Sequence, residues 1–178
     1  MFRLTTSTSD TLTEAQRAAI VALCVAAHDD EAFRDLFAFV APDTLHILAY
    51  DDAALVAHAM VGTRWVQPAP HPPLRTAYVD AVAVSPTAQG QGVGRRLMAR
   101  LADEVAADYE LACLESEEAW PFYERCGWER WRGPLAGRGA QGRVPTPDQE
   151  GIMILRLPAT PPLDLDGSLS IEIEGRIW

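Results

Sequence analysis

The chain has 178 residues, 48% of them apolar and 22% charged, a length and composition that suit one domain with a buried core. Acidic residues outnumber basic ones 25 to 15, for a net charge of −10. That disfavours nucleic acid and anionic membranes, which demand basic patches, and suits a cationic ligand where acids converge on a cleft. All 15 basic residues are arginine, which excludes Schiff-base lysine chemistry and the phosphate loop that ends in Gly-Lys-Ser/Thr.

Arg3 to Ser7 predicts a short first strand. Thr11-Leu12-Thr13-Glu14 has the form of a capping box and opens a helix to about Ala27. A shorter helix is expected from Glu31 to Val40, ended by Pro42 and Asp43. Thr44–Tyr50 and Ala53–Val66 predict a hairpin around Asp51-Asp52. Gln67–Pro73, with four prolines, is a loop. Ala77–Val84 is an apolar strand broken only by Asp80. Gly94–Ala107 has helical period, with Leu97, Leu101 and Val105 on one face. Then come a strand at Leu111–Leu114, a helix at Glu117–Arg125, a strand at Trp128–Trp131, a Gly/Arg-rich loop at Gly133–Gly142 and a strand at Ile152–Leu157. Ser168–Ile173 alternates like an edge strand. No repeat, low-complexity run or interdomain linker is visible, so residues 1–178 are expected to be a single domain.

The N-terminus lacks the long apolar stretch of a signal peptide. No segment reaches the roughly 18 apolar residues of a membrane span. Cys24, Cys113 and Cys126 are scattered and odd in number, which reads as reduced cytosolic thiols. Cys126 could be a nucleophile or, more simply, a packing cysteine. His28, His46, His58 and His71 show no ligand spacing and there is no Cys-x-x-Cys, so no metal is expected. A Gly-x-Ser-x-Gly elbow is also missing.

The strongest motif follows the apolar strand. Gln89-Gly90-Gln91-Gly92-Val93-Gly94-Arg95-Arg96 is a glycine-rich turn that opens an amphipathic helix. Glycines let backbone N–H groups approach an anion, and the helix N-terminus adds free N–H groups and partial positive charge. Arg95 and Arg96 can add side-chain charge. The turn should therefore bind a pyrophosphate. It differs from the dinucleotide fingerprint, because the third glycine comes one position early.

This run resembles the acetyl-coenzyme A signature Gln/Arg-x-x-Gly-x-Gly/Ala of the GNAT acetyltransferase superfamily. The resemblance implies an α/β fold with a mixed, mostly antiparallel sheet flanked by helices and splayed central strands. It also implies acetyl-CoA as cosubstrate, its pyrophosphate held by the turn and its pantetheine arm by the backbone of Val82 and Val84. Further runs are similar to the aminoglycoside 2′-N-acetyltransferases: Ala77–Val84, Phe122-Tyr123-Glu124-Arg125-Cys126-Gly127-Trp128, Trp131–Pro134, Pro145–Gly151 and the terminal Trp178.

Acetyl transfer from a thioester to an amine requires a neutral amine, an acid for the leaving thiolate and support for the oxyanion. Asp80 stands inside an apolar strand, where burial without a partner would cost several kcal/mol; it is either a functional carboxylate or a structural hydrogen-bonding one. The resemblance makes it the base, working through water, although the family usually has Glu there. Tyr123 is either a core tyrosine or, by the resemblance, the acid that protonates the thiolate. Asp29, Asp30, Asp35, Asp148, Glu150 and the Trp178 carboxylate are the acids that would bind a cation, or else belong to a solvated face; the resemblance places Asp30 and Asp35 at positions that contact substrate amines. Gln149 and Arg176 replace family aspartates, which points to an aminoglycoside with fewer ammonium groups or with a carboxylate, such as kasugamycin. The expectation is thus a cytoplasmic, homodimeric resistance enzyme. A GNAT enzyme for another small amine or peptide N-terminus, and a non-catalytic CoA-binding or drug-sequestering module, are the alternatives.

Overall fold

In the computed structural model, which describes residues 2–173 and 177–178, the first long helix, α1 (Glu14–His28), begins at Thr13. The Thr13 hydroxyl accepts from the Gln16 amide at 3.2 Å and the Gln16 side chain accepts from the Thr13 amide at 2.9 Å. The capping box is therefore Thr13–Gln16 and not Thr11–Glu14, because Thr11 ends a separate 3-10 turn over Ser9–Thr11, where its hydroxyl accepts from the Thr8 amide. The expected helix from Glu31 to Val40 is a 3-10 turn, Glu31–Asp35, followed by one short turn of α-helix, α2 (Leu36–Phe39).

The chain divides into two compact units, Met1–Gly62 with Val79–Glu104 and Thr63–Tyr78 with Val105–Trp178. Two strands, β3 (Ala54–Pro68) and β4 (Leu74–Val84), contribute residues to both.

In the first unit β1 (Arg3–Thr8) and β3 flank β2 (Leu45–Asp51), and both ladders are antiparallel. The β2–β3 turn falls at Asp51-Asp52 as expected, with Asp52 at positive φ. Ile20, Leu23 and Cys24, one face of α1, pack with Leu48, Ala81 and Ala83. Fully burying such aliphatic side chains contributes roughly 1.5–3 kcal/mol each. Helix α3 (Val93–Val105) buries Leu97, Leu101 and Val105, the face read from the sequence, together with Met98.

In the second unit the strand order is β6 (Glu129–Arg130), β9 (Ile152–Arg156), β5 (Leu111–Glu115), β4, β3, β10 (Leu169–Glu172), β7 (Leu135–Gly139), β8 (Gly142–Pro145). The ladders β4–β5 and β7–β10 are parallel, while β5–β9, β6–β9, β7–β8 and β3–β10 are antiparallel. Two expectations are corrected here. The stretch Gly133–Gly142 is not all loop: it holds β7 and the start of β8, since Leu135–Arg138 pair in parallel with Leu169–Glu172. And β10 is no edge strand, because it pairs on both sides. Ser170, which looks outward-facing in the alternation, is fully buried, and its hydroxyl accepts from Arg138 at 3.1 Å. The core of this unit joins Cys113, Ile154, Ile171, Trp131 and Trp178. The helix α4 (Trp120–Glu124) is shorter than the predicted Glu117–Arg125.

Candidate active site

The glycine turn lies wholly in the first unit. β4 ends at Val84, a 3-10 turn covers Pro86–Ala88, and α3 begins at Val93. Between them Gly90 and Gly92 have φ of 73° and 79°, and a Cβ on either would meet nothing within 4 Å. Glycine is needed there for conformation and not for room. The open space in front of the turn, with the unpaired amides that begin α3, fits a pyrophosphate. Two side chains brace it: Gln91 donates to Thr87 O at 2.8 Å and Gln89 to Val84 O at 3.3 Å. Arg95 is exposed and free to meet an anion, whereas Arg96 donates to the Phe2 carbonyl at 3.0 Å. Val93 and Gly94 are buried, so Val93 packs in the core and only its backbone can face a ligand.

Upstream, β4 pairs with β5 only over Thr76–Tyr78. Beyond that ladder Asp80, Val82 and Val84 are half-buried while Ala81 and Ala83 are buried. Ala81 has φ 48°, a left-handed conformation uncommon for a residue with a side chain. Both of its backbone groups have side-chain partners: the Asp80 carboxylate accepts from its amide at 2.8 Å, and the His58 ring donates to its carbonyl at 2.9 Å. Asp80 is thus neither fully buried nor a bare carboxylate in an apolar strand. Its charge and, more strongly, burial push the Cys24 thiol up to about 12. Burial likewise pushes Cys113 in the second unit up to about 12, so both thiols are inert at neutral pH.

In the second unit Tyr123 is buried near the end of α4. Its carbonyl accepts from Cys126 N at 2.8 Å and Trp128 N at 3.1 Å, and its ring meets Phe122 and Trp128 edge-on. Trp128 also lines a cavity of about 1080 Å³ whose wall includes Glu129, Trp131, Thr146, Gln149 and Glu150. Trp178 is buried, and its indole N–H donates to Thr146 Oγ1 at 3.1 Å. Gln149 donates to Glu115 Oε1 at 2.6 Å, so the amide that stands in the acidic loop is matched to a carboxylate. The sequence gives no hint of that partner, which lies 34 positions away.

The acids expected to bind substrate differ in placement. Glu150 lines the cavity; Asp148 is exposed and does not. Asp30 caps the 3-10 turn through Ala32 N at 2.8 Å, and Asp35 is exposed at the start of α2. Arg176 lies outside the described residues. Among the described residues no His, Cys, Asp and Glu side chains cluster as a metal site, and no helix is long and apolar enough to cross a membrane.

Residues 10–128 match the Acetyltransferase (GNAT) family. The chain belongs to that family. It is similar to the aminoglycoside 2′-N-acetyltransferase of Mycolicibacterium fortuitum, with 31% identity over 139 residues, 75% of this chain and 71% of the relative. Among solved structures, Escherichia coli ElaA aligns with a TM-score of 0.64 at 19% identity, covering 88% of this chain and 100% of that one. An acyl-CoA N-acyltransferase from Pseudomonas aeruginosa aligns with a TM-score of 0.60 at 21% identity, covering 87% and 99%. The protein is an acetyl-CoA-dependent N-acetyltransferase, and the mixed, mostly antiparallel fold expected from the sequence is the one observed.

Proposed function

We propose that this acetyltransferase acetylates the 2′-amine of an aminoglycoside. The observation that carries the reading is the 31% identity with the Mycolicibacterium fortuitum enzyme over three quarters of the chain. The net charge of −10 supports a cationic acceptor, and Glu150 offers it a carboxylate in a cavity wall that carries both acids and arginines.

Bound acetyl-CoA supplies a thioester acetyl group. The glycine turn and the amides of α3 hold its pyrophosphate, and β4, past the end of its ladder with β5 at Tyr78, offers backbone at Val82 and Val84 to the pantetheine arm. The acceptor amine must lose a proton. Asp80 takes it through water, which needs no strong base when the ammonium is already near its pKa. As the nitrogen–carbon bond forms and the carbon–sulfur bond breaks, Tyr123 gives its hydroxyl proton to the departing thiolate, and the second proton shed by the nitrogen restores the tyrosine through solvent.

The test is thiol release from acetyl-CoA across a panel of aminoglycosides, with mass spectrometry to locate the acetyl group. Gentamicin or kasugamycin acetylated at the 2′-amine is the expected result. Kasugamycin preferred over gentamicin would tie Gln149 to selectivity for a less cationic drug. Release with small amines or peptides and none with any aminoglycoside overturns the reading.

A further inference from the structure

Three polar side chains that the chemistry above leaves unused are buried together in the first unit. Ser9 is 2% exposed, and His46 and His58 are fully buried. Ser9 Oγ lies 2.7 Å from His46 Nε2, His46 Nδ1 lies 2.9 Å from His58 Nε2, and His58 Nδ1 lies 2.9 Å from Ala81 O. The strand register explains why they meet. His46 sits opposite Met60 and His58 opposite Leu48, so the two rings are diagonal neighbours on one face of the hairpin.

The far end fixes the direction of every proton. A carbonyl only accepts, so His58 Nδ1 carries hydrogen. Burial holds both rings neutral, lowering His58 to about 3 and His46 to about 4. His58 Nε2 is therefore an acceptor, His46 Nδ1 its donor, and His46 Nε2 the acceptor of the Ser9 hydroxyl. The chain is anchored at its near end, where Arg17 donates to the Ser9 carbonyl and the Ser9 amide donates to Thr44 O at 2.9 Å. It terminates on the one residue of β4 held at positive φ, beside Asp80.

We propose that Ser9, His46 and His58 are positioning residues for acetyl transfer: a one-way hydrogen-bond relay that holds the Ala81 carbonyl and so sets the direction of the Asp80 carboxylate and of the backbone that follows it. The inference rests on the reading that β4 carries the proton acceptor. Ala81 leaves regular extended geometry, so its buried carbonyl needs a partner from a side chain. His58 supplies the short bond at 2.9 Å, beside the weak Cys24 thiol at 3.9 Å; His46 fixes the His58 tautomer, and Ser9 fixes that of His46. A strand built this way keeps its kink at the one place where the reacting groups must stay aligned.

Two substitutions separate this role from simple packing. In His58→Asn the side-chain amide overlays Nδ1 and still donates to Ala81 O. In His58→Gln the amide overlays Nε2, which keeps the contact with His46 and loses the donor to Ala81. The expected result is that His58→Asn stays within about threefold of wild-type kcat while His58→Gln loses about tenfold or more, both with nearly unchanged KM for acetyl-CoA. Ser9→Ala should cost about twofold. Equal losses in the Asn and Gln variants, or losses that track Tm, overturn the proposal. Independently of any acceptor, nitrogen-15 NMR of the wild type should find both rings in the Nδ1–H form at neutral pH. An Nε2–H tautomer at either ring rejects the relay even if the variants fail to fold. Should no aminoglycoside be acetylated, the relay is still decided by those tautomers and by the Ala81 and Val82 amide shifts, which must move in His58→Gln and stay in His58→Asn.

Discussion

The first unit carries its candidate chemistry on one continuous stretch, from Asp80 through the glycine turn to Arg96, whereas the second gathers its own from Glu115, Tyr123, Thr146, Glu150 and Trp178. In the first, the candidate groups are mainly backbone: amides at Gly90 and Gly92 and along β4. In the second they are side chains brought together by pairing between distant strands, with Trp178 tied to Thr146 and Gln149 to Glu115. Under the proposed function, the contrast is between a unit that would hold the constant cosubstrate with its main chain and one that would meet a variable acceptor with residues that can be exchanged singly.

The sharpest way to break that contrast is Tyr123→Phe. If the hydroxyl is the acid, kcat falls about a hundredfold with little change in KM for acetyl-CoA, measured by thiol release. An unchanged kcat would remove the second unit from the proton chemistry altogether. Next in size is Gly92→Ala. With φ at 79°, an L side chain costs about 1–2 kcal/mol; the free turn relaxes to escape it, and restoring the shape on binding raises KM for acetyl-CoA about tenfold. The companion readout is acceptor KM, which should stay put if the turn serves only the cosubstrate. The smallest effect is the response to acid. His46 and His58 are neutral in the folded chain at and below pH 6.5, so an unfolded chain binds more protons there. Stability in the first unit is fully present above 6.5 and declines as pH falls toward about 4 and about 3. The charged and titratable neighbours are Arg17 and Cys24 on α1 and Asp80 on β4; Arg17 lowers His46 further. In the second unit the fully buried polar side chains among the described residues, Thr76 and Ser170, do not titrate. Hydrogen exchange on acidification should thus rise at Ala57 and Ala81 before it rises at Cys113 and Met153; simultaneous loss would erase the difference between the units.

The same contrast explains what the amino-acid sequence discloses. Strand, glycine turn and helix at 77–107 are adjacent in the chain and have local signatures, and α3 buries the face that its periodicity indicates. Gly133–Gly142 reads as loop because glycine, proline and alanine are depleted in strands; β7 forms because β10, more than thirty residues later, supplies its ladder. Asp30 resembles a substrate ligand by position, yet its carboxylate caps its own turn, a local bond that competes with any ligand. The histidine relay depends on register across the hairpin and on a left-handed alanine that nothing in an apolar run announces. Their spacing rules out a metal motif and is silent about a diagonal contact.

Ala81 adds a consequence for anyone reshaping this enzyme. A methyl group kept at φ 48° is a standing conformational tension of roughly 1–2 kcal/mol; replacing it with hydrogen relieves that tension but gives up the methyl's place in the core beside Leu48 and Cys24 and widens the freedom of the unfolded chain. The same replacement would let the kink wander among shapes the methyl forbids. On the proposed role of β4, the one carbon atom that strains this bend is also what keeps it in a single shape.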